Sequence, residues 1–173
     1  MALVELMLAL AVIAVVLGTI AKIAGSQSAE QKALAEARTA KAAVNELRVI
    51  FQRQETFEAL DLSTTIDIDL WPERNVTGPN TLANTWGGSI TLAPDPAWPN
   101  NEVINIQWTE VAGDSCPTLA TFPFGAERVS VNGNQVFNSG YMGVPTDLDM
   151  GAIGANCQGN DNTVTVWFAK DIR

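Results

Sequence analysis

The sequence predicts an α+β fold in which a long N-terminal α-helix, apolar in its first half, packs by its C-terminal half on an antiparallel β-sheet head. Two observations favour this class. All eight prolines lie from Pro72 onward, and the first 60 residues contain only two glycines, Gly18 and Gly25. Because proline and glycine interrupt helices, this part of the chain is free to form one continuous helix. From Ser89 onward, short segments alternate apolar and polar residues, which is typical of half-buried strands.

The chain length of 173 residues suits one domain with an appendage. We divide the chain into an apolar helix over residues 1–25, an amphipathic continuation over residues 26–58 and a globular α+β head over residues 59–173. A helix over residues 1–54 would be about 80 Å long at 1.5 Å per residue. A single small head cannot cover that length, so the first half must bury itself in a membrane or against copies of itself.

The N-terminal segment is a candidate membrane span. Its first 24 residues read MALVELMLALAVIAVVLGTIAKIA, and Thr19 is the only polar side chain between Glu5 and Lys22. About 20 apolar residues cross the hydrocarbon core of a bilayer. The segment lacks the basic start and the small-residue cleavage site of a secretory signal peptide. The apolar side chains that we expect to be buried along this helix are Leu3, Leu6, Leu10, Ile13, Leu17 and Ile20.

Glu5 is the exception within this apolar run. A carboxylate near the start of an apolar helix is costly in lipid, which makes it a functional candidate. The alternative is that Glu5 and Met1 sit at the headgroup level of an ordinary anchor.

Residues 25–58 are predicted to continue the helix with an apolar seam on one face. Its larger residues lie toward the end, and we expect these to pack on the head's own sheet. The alternative is a two-helix coiled coil. The charged pairs Lys32/Glu36 and Glu30/Lys41 lie off the seam, so we expect them to be solvated or to pair between subunits. The seam residues, spaced 4, 3, 4, 3 and 4 apart, are Ala33, Ala37, Ala40, Val44, Leu47 and Phe51.

Turns and short strands make up the predicted head. Leu70–Asn80 reads as a loop, Asn84–Gly88 as a tight turn, and Asn132-Gly133 as a hairpin turn. Cys116–Ala120 begins a short helix with Pro117 in its first turn. The predicted strands are Ser89–Leu92, Glu102–Glu110, Arg128–Val131, Gln135–Asn138 and Thr163–Phe168.

The two cysteines, Cys116 and Cys157, both lie in the head. In an exported protein they should pair, and the pair would hold a loop-rich region onto the sheet. The closed loop has about 40 residues, for which the chain-entropy estimate is roughly 4 kcal/mol. The alternative is two free buried thiols in a cytosolic protein.

Composition argues against several chemistries. The formal net charge of −9 belongs to residues 61–173, with thirteen acids and four bases, so the chain lacks the basic face that nucleic acid binding needs. The absence of histidine excludes Ser-His and Cys-His nucleophile pairs and histidine-ligated metals. Two cysteines are too few for a structural zinc site. We therefore predict neither an enzyme nor a cofactor or metal.

Weaker candidates have competing interpretations. Asp67/Asp69 and Asp147/Asp149 have the chemistry of acid/base pairs or calcium ligands, but no calcium-loop pattern accompanies them, and we favour solvated loop carboxylates. Asn75-Val76-Thr77 matches the glycosylation sequon, a short and weak signal. Four tryptophans have two interpretations, a platform for a ligand or packing in the core and between subunits, and we favour packing. They are Trp71, Trp86, Trp98 and Trp108.

The N-terminal residues Met1-Ala2-Leu3-Val4-Glu5-Leu6-Met7, followed by an apolar helix, resemble the mature N-terminus of type IV pilins. Methionine as the first residue and the spacing of the two cysteines resemble the type IVb branch. Asn84-Thr85-Trp86-Gly87-Gly88 and Asp114-Ser115-Cys116-Pro117 resemble the thin-pilus major pilins of conjugative and enteric systems. Many relatives have a helix-kinking proline near position 22, where this chain has none. Gly18 and Gly25 are the flexible points expected to replace it.

The resemblance implies that a prepilin peptidase removes a leader, that Met1 is N-methylated and that the chain is the processed form. It implies an inner-membrane stage followed by self-assembly, through the pilus assembly machinery, into a helical filament at the cell surface. The expected function is that of a major type IVb pilus subunit serving adhesion, aggregation or conjugative contact. The alternatives are a minor pilin or adhesin at the fibre tip and a pseudopilin of a secretion system. Glu5 would act as a register device by pairing with the α-amino group of Met1 on a neighbouring subunit.

Overall fold

The computed structural model describes residues 28–54, 56–98, 102–141 and 143–170. The first helix, α1, occupies residues 28–50 and is followed by a 3-10 turn, Phe51–Arg53. Gln54 then adopts an extended backbone, so helical structure ends before residue 58. The predicted apolar span lies outside the described residues. Within the described ranges, no helix has the length and apolar character needed to cross a bilayer.

One antiparallel sheet forms the described head. Its spatial order is β1-β2-β3-β4-β7-β5-β6, so the last strand of the chain inserts between β4 and β5. The register of the central pair places Ile104 opposite Phe168 and Ile106 opposite Val166 on the inward face. The strands are β1 Val76–Gly78, β2 Thr81–Ala83, β3 Ser89–Pro94, β4 Val103–Val111, β5 Arg128–Val131, β6 Asn134–Asn138 and β7 Asn162–Ala169.

The five predicted strands are confirmed to within about two residues at each end, as β3 to β7. Asn132 and Gly133 both have positive φ, at 51° and 79°, as the predicted hairpin turn requires. The prediction of a loop over Leu70–Asn80 is wrong, because this segment contains a 3-10 turn, Glu73–Asn75, and strand β1. A three-residue strand is too short to show an alternating pattern in the sequence.

Three short helices border the sheet, and local capping explains where two of them begin. Asp61 caps α2, Leu62–Asp67, by accepting a hydrogen bond from the Thr64 N–H, and Asp149 caps α4, Met150–Asn156, in the same way through Ala152. The predicted helix at the first cysteine is confirmed as α3, Cys116–Thr121, with proline in its first turn.

The hydrophobic core lies between α1 and the inward face of the sheet. The buried residues of α1 belong to one cluster with Ile104, Ile106, Trp108 and Phe168. Phe124 packs against the inward face of the sheet, since its ring centroid lies 6.0 Å from that of Trp108 in β4 and 5.8 Å from that of Phe168 in β7. The amphipathic half of the helix is therefore an integral part of the head.

Candidate functional site at the helix–head interface

The predicted assembly residues Met1 and Glu5 lie outside the described residues, as do Gly18 and Gly25. The same holds for the apolar positions Leu3, Leu6, Leu10, Ile13, Leu17 and Ile20. Their roles stay predictions. The described part of the chain contains the interface that joins the helix to the head, and this interface is the candidate site.

The predicted apolar seam of α1 is confirmed. Its six residues are at most 5% exposed and belong to the core cluster of the head. Small residues occupy its N-terminal part, where Ala33, Ala37 and Ala40 let the sheet and its loops approach the helix closely. Because the head covers this seam, the seam is not available for the alternative two-helix coiled coil.

Glu36 was predicted to be solvated or to pair between subunits, and this prediction is wrong. Its side chain is 2% exposed and lies inside the interface. The carboxylate accepts hydrogen bonds from the Thr85 N–H at 3.1 Å and from the Asn75 Nδ2 at 3.3 Å. Spacing carries the signal that was missed: Glu36 follows Ala33 by three residues and precedes Ala40 by four, which places it on the seam itself.

Burial raises the pKa of the Glu36 carboxyl above its ordinary value of 4.5. The hydrogen bonds from Asn75 and Thr85 and the positive charge of Arg74 oppose this change but are smaller. Desolvation of the charged form is therefore the dominant influence on this group.

Two polar atoms near this carboxylate are buried without hydrogen-bond partners, the Oδ1 of Asn75 and the Nε1 of Trp108. The Trp108 indole faces the Glu36 carboxylate, but its N–H does not reach hydrogen-bond geometry with it. The Nδ2 of Asn75 donates to the Ala83 carbonyl at 2.9 Å as well as to Glu36. Unpaired buried polar atoms cost free energy, so this cluster is a locally unfavourable part of the core.

The turn Asn84–Gly88 places the backbone donor that Glu36 uses. The Oδ1 of Asn84 accepts hydrogen bonds from the N–H groups of Trp86 and Gly88, and its Nδ2 donates to the Thr109 carbonyl at 2.7 Å. A Cβ atom at Gly88 would lie 2.1 Å from the Thr109 carbonyl oxygen, so only glycine fits there. This motif thus has a structural role: it fixes the Thr85 N–H against the helix.

A second polar link joins the N-terminal end of described α1 to the disulfide region. The Oγ of Ser115 donates to the Ala29 carbonyl at 3.0 Å and accepts from the Trp86 Nε1 at 3.0 Å. Ser115 is fully buried and directly precedes Cys116. The turn, the disulfide and the helix therefore meet at one point.

The flanks of α1 are tied to the head by its other polar side chains. Arg74 donates to the Thr39 Oγ1 at 3.3 Å on one flank. On the other flank the Nζ of Lys41 donates to the Pro123 carbonyl at 2.6 Å. Arg48 donates two hydrogen bonds to the Ala169 carbonyl oxygen of β7, from its Nε at 3.0 Å and from its Nη2 at 2.9 Å.

The predicted disulfide is confirmed between Cys116 and Cys157, which are 41 residues apart. It joins the start of α3 to the residue that ends α4. The hairpin β5–β6 and the loop before α4 lie between the two cysteines, so the bridge closes the region predicted to be stapled onto the sheet.

The weaker candidates divide into exposed acids and one buried asparagine. The acidic side chains Asp67, Asp69, Asp147 and Asp149 are exposed. Nowhere in the described ranges do three potential ligands gather into a metal-binding group. Asn75 of the sequon is 2% exposed, so its amide is inaccessible in the folded protein.

The four tryptophans have separate roles. Trp71 and Trp108 are buried in the core, as predicted, and Trp86 packs against the core while partly exposed. Trp98 stacks on Tyr141, with ring centroids 5.6 Å apart. Three of the four tryptophan rings therefore pack in the core or against it.

Comparison with known proteins decides the family. A family model described as PilS N terminal matches residues 30–169. The chain belongs to this family of type IV pilins. The matched range covers the described helix and nearly the whole head of this pilin.

One solved structure shows the fold. The crystal structure of a type IV b pilin from Salmonella typhi is similar with a TM-score of 0.58 and 20% sequence identity, over 76% of this chain and 96% of that one. This pilin therefore has the type IVb pilin fold. TcpA, a type IV pilin from Vibrio cholerae El Tor biotype, shares 14% identity at a TM-score of 0.45, over 76% of this chain and 98% of that one. No curated protein sequence matches the chain.

Proposed function

We propose that this pilin is the major structural subunit of a type IVb pilus and polymerises through its N-terminal helix into an extracellular filament. The family match over residues 30–169 carries the proposal, because it occurs in a chain that begins with an apolar segment and a lone carboxylate, Glu5. The firm attachment of α1 to the head supports it, since a force on the helix would be transmitted to the head through buried contacts.

The proposed assembly mechanism uses the first 25 residues. Before assembly they anchor the subunit in the inner membrane, after a prepilin peptidase has cut the leader and Met1 has been N-methylated. During assembly the helix exchanges lipid contacts for apolar contacts with neighbouring helices. A carboxylate in that environment is favourable only beside a positive charge, so Glu5 docks where it meets the Met1 amine of a neighbour. Contacts of this head-to-tail kind generate a helical filament when they do not close into a ring.

The experiment compares wild type with Glu5→Ala and with Glu30→Ala, an exposed position on described α1. We expect wild type to be the dominant protein of sheared surface fibres seen by electron microscopy. Glu5→Ala should stay membrane-inserted without forming filaments, and Glu30→Ala should assemble normally. Normal filaments from Glu5→Ala would contradict the mechanism. Fibres in which this chain is a trace component would contradict the role of major subunit and favour a minor pilin.

A further inference from the structure

An apolar groove opens on the described surface between α3, the hairpin β5–β6 and the segment before α4. Its side chains are Phe122, Phe124, Val129, Phe137 and Leu148. The groove is accessible, because Leu148 at its rim is 39% exposed. A contiguous exposed apolar patch rimmed by polar residues is typical of an interaction site.

A second apolar surface lies at the C-terminal end of α1. Val49 is 70% exposed and Ile50 is 45% exposed. Arg53 follows them by four and three residues, so the three side chains share one side of the helical segment. We call Val49, Ile50 and Arg53 the Val49 surface.

Within the Val49 surface, Ile50 points away from the groove of its own subunit. Lys41 contacts the groove side of the head, through the Pro123 carbonyl and the ring of Phe122. Ile50 lies nine residues further along, which is about two and a half turns at 3.6 residues per turn. Ile50 therefore points to the flank opposite Lys41, away from the groove of its own subunit.

The charges beside the two surfaces are complementary. Exposed Asp147 and Asp149 flank Leu148 at the rim of the groove. Exposed Arg53 belongs to the Val49 surface. An apolar contact between the two surfaces would bring this arginine toward the acidic rim, and such complementarity fixes the register of an interface.

We propose that, in the filament, the groove of one subunit receives the Val49 surface of the next subunit. The inference rests on the proposed function as a homopolymer. Because the two surfaces differ and Ile50 faces away from the groove of its own subunit, their contact is head-to-tail and repeats along the assembly instead of closing a two-fold dimer. The apolar side chains supply the burial, and the charged rim selects the orientation.

The test uses the full-length chain assembled into filaments, with paired cysteines at Ile50→Cys and Leu148→Cys. Mild oxidation of sheared filaments should give a ladder of covalent oligomers in non-reducing electrophoresis. Each single variant should stay monomeric, because a subunit then carries the added thiol on one surface only. The matched control pair is Glu30→Cys with Leu148→Cys, since Glu30 is exposed on α1 twenty residues before Ile50 and lies on another side of the helix. This control should give no ladder.

A charge exchange provides the second readout. Arg53→Asp and Asp147→Arg should each lower the yield of sheared filaments, and the double variant should restore it. Both positions are exposed, so the thermal unfolding of the subunit should not change. Three outcomes would overturn this inference and leave the proposed function intact. They are filaments that give no specific ladder, covalent dimers from a single variant, and a double variant that does not restore the yield of filaments. Failure of wild type to form a homopolymer would overturn both.

Discussion

Glu36→Gln replaces the buried carboxylate of α1 by an amide of nearly the same shape. The glutamine oxygen keeps the acceptor for the Thr85 N–H, which lies 3.1 Å from the present carboxylate. Its amide nitrogen gains a possible acceptor in the Asn75 Oδ1, which is unpaired in the wild type. The substitution therefore removes the charge while keeping the local hydrogen bonding, and it isolates the cost of burying that charge.

The sign of the pH dependence follows from the direction of the pKa change. Burial raises the pKa of Glu36 in the folded state, whereas the unfolded chain releases this proton near the ordinary value of 4.5. Between the two values the folded state holds more protons. The free energy of unfolding then falls as pH rises, by about 1.4 kcal/mol for each pH unit of that window. The stabilisation is complete below pH 4.5 and lost above the pKa of the folded state.

We expect Glu36→Gln to raise the free energy of unfolding at pH 7 by about 1–2 kcal/mol, because an amide costs less to bury than a carboxylate. Glu36→Ala should be less stable than Glu36→Gln at every pH. It removes the acceptor of the Thr85 N–H and leaves the Asn75 amide with the Ala83 carbonyl as its acceptor, and a buried group left unpaired costs about 1–3 kcal/mol.

Urea unfolding of the detergent-solubilised full chain, followed by tryptophan fluorescence from pH 4 to pH 8, measures these differences. The quantity to compare is wild type minus Glu36→Gln. Asp61, whose pKa is lowered by hydrogen bonds from Thr64, contributes equally to both proteins and cancels. Glu46→Gln, an exposed position on the same helix, is the matched control. The reasoning is refuted if wild type and Glu36→Gln show the same pH dependence, or if only wild type becomes more stable as pH rises from 4.5.

Two further predictions concern the head. Replacing both Cys116 and Cys157 by serine should lower the free energy of unfolding by about 4 kcal/mol, which is the loop-entropy value for a closed loop of 41 residues. Reduction of the wild type should cause a similar loss, measured by chemical denaturation. Gly88→Ala should strongly lower the thermal midpoint of the subunit, because the added Cβ would lie 2.1 Å from the Thr109 carbonyl oxygen. At Gly154 an added Cβ would have no atom within 4 Å, so Gly154→Ala should raise the thermal midpoint through helix propensity worth up to about 1 kcal/mol. Equal midpoints for the two glycine variants would contradict this account.

The helix and the central strands were predictable because their patterns are long. The seam of α1 repeats over several turns, and β4 and β7 alternate over nine and eight residues. The strands β1 and β2 each have three residues, too few for a period to be recognised. Helix α4 contains two glycines, which have poor helix propensity, so only its Asp149 cap signalled it.

The site was predictable in its apolar part and not in its polar part. The spacing of the seam identified the buried face, and export implied the disulfide. The partners of Glu36 lie 39 and 49 residues away along the chain, in Asn75 and Thr85. Such pairs depend on how the turn and the 3-10 segment are placed by the sheet. A charged residue on the seam was therefore a visible anomaly whose explanation required the tertiary structure.

The seam of α1 cannot serve the head and a neighbouring subunit at once. Its residues are nearly inaccessible, so a copy that packs along the described part of this helix must use the opposite face, where Ala35, Ala42 and Val49 are exposed at intervals of seven residues. Substitutions on the two faces should then fail differently. A bulky residue at Ala40 should lower the stability of the isolated subunit, whereas the same residue at Ala42 should leave that stability unchanged and affect only assembly. The heptad interval thus divides one helix into a folding surface and a surface free for contacts between subunits.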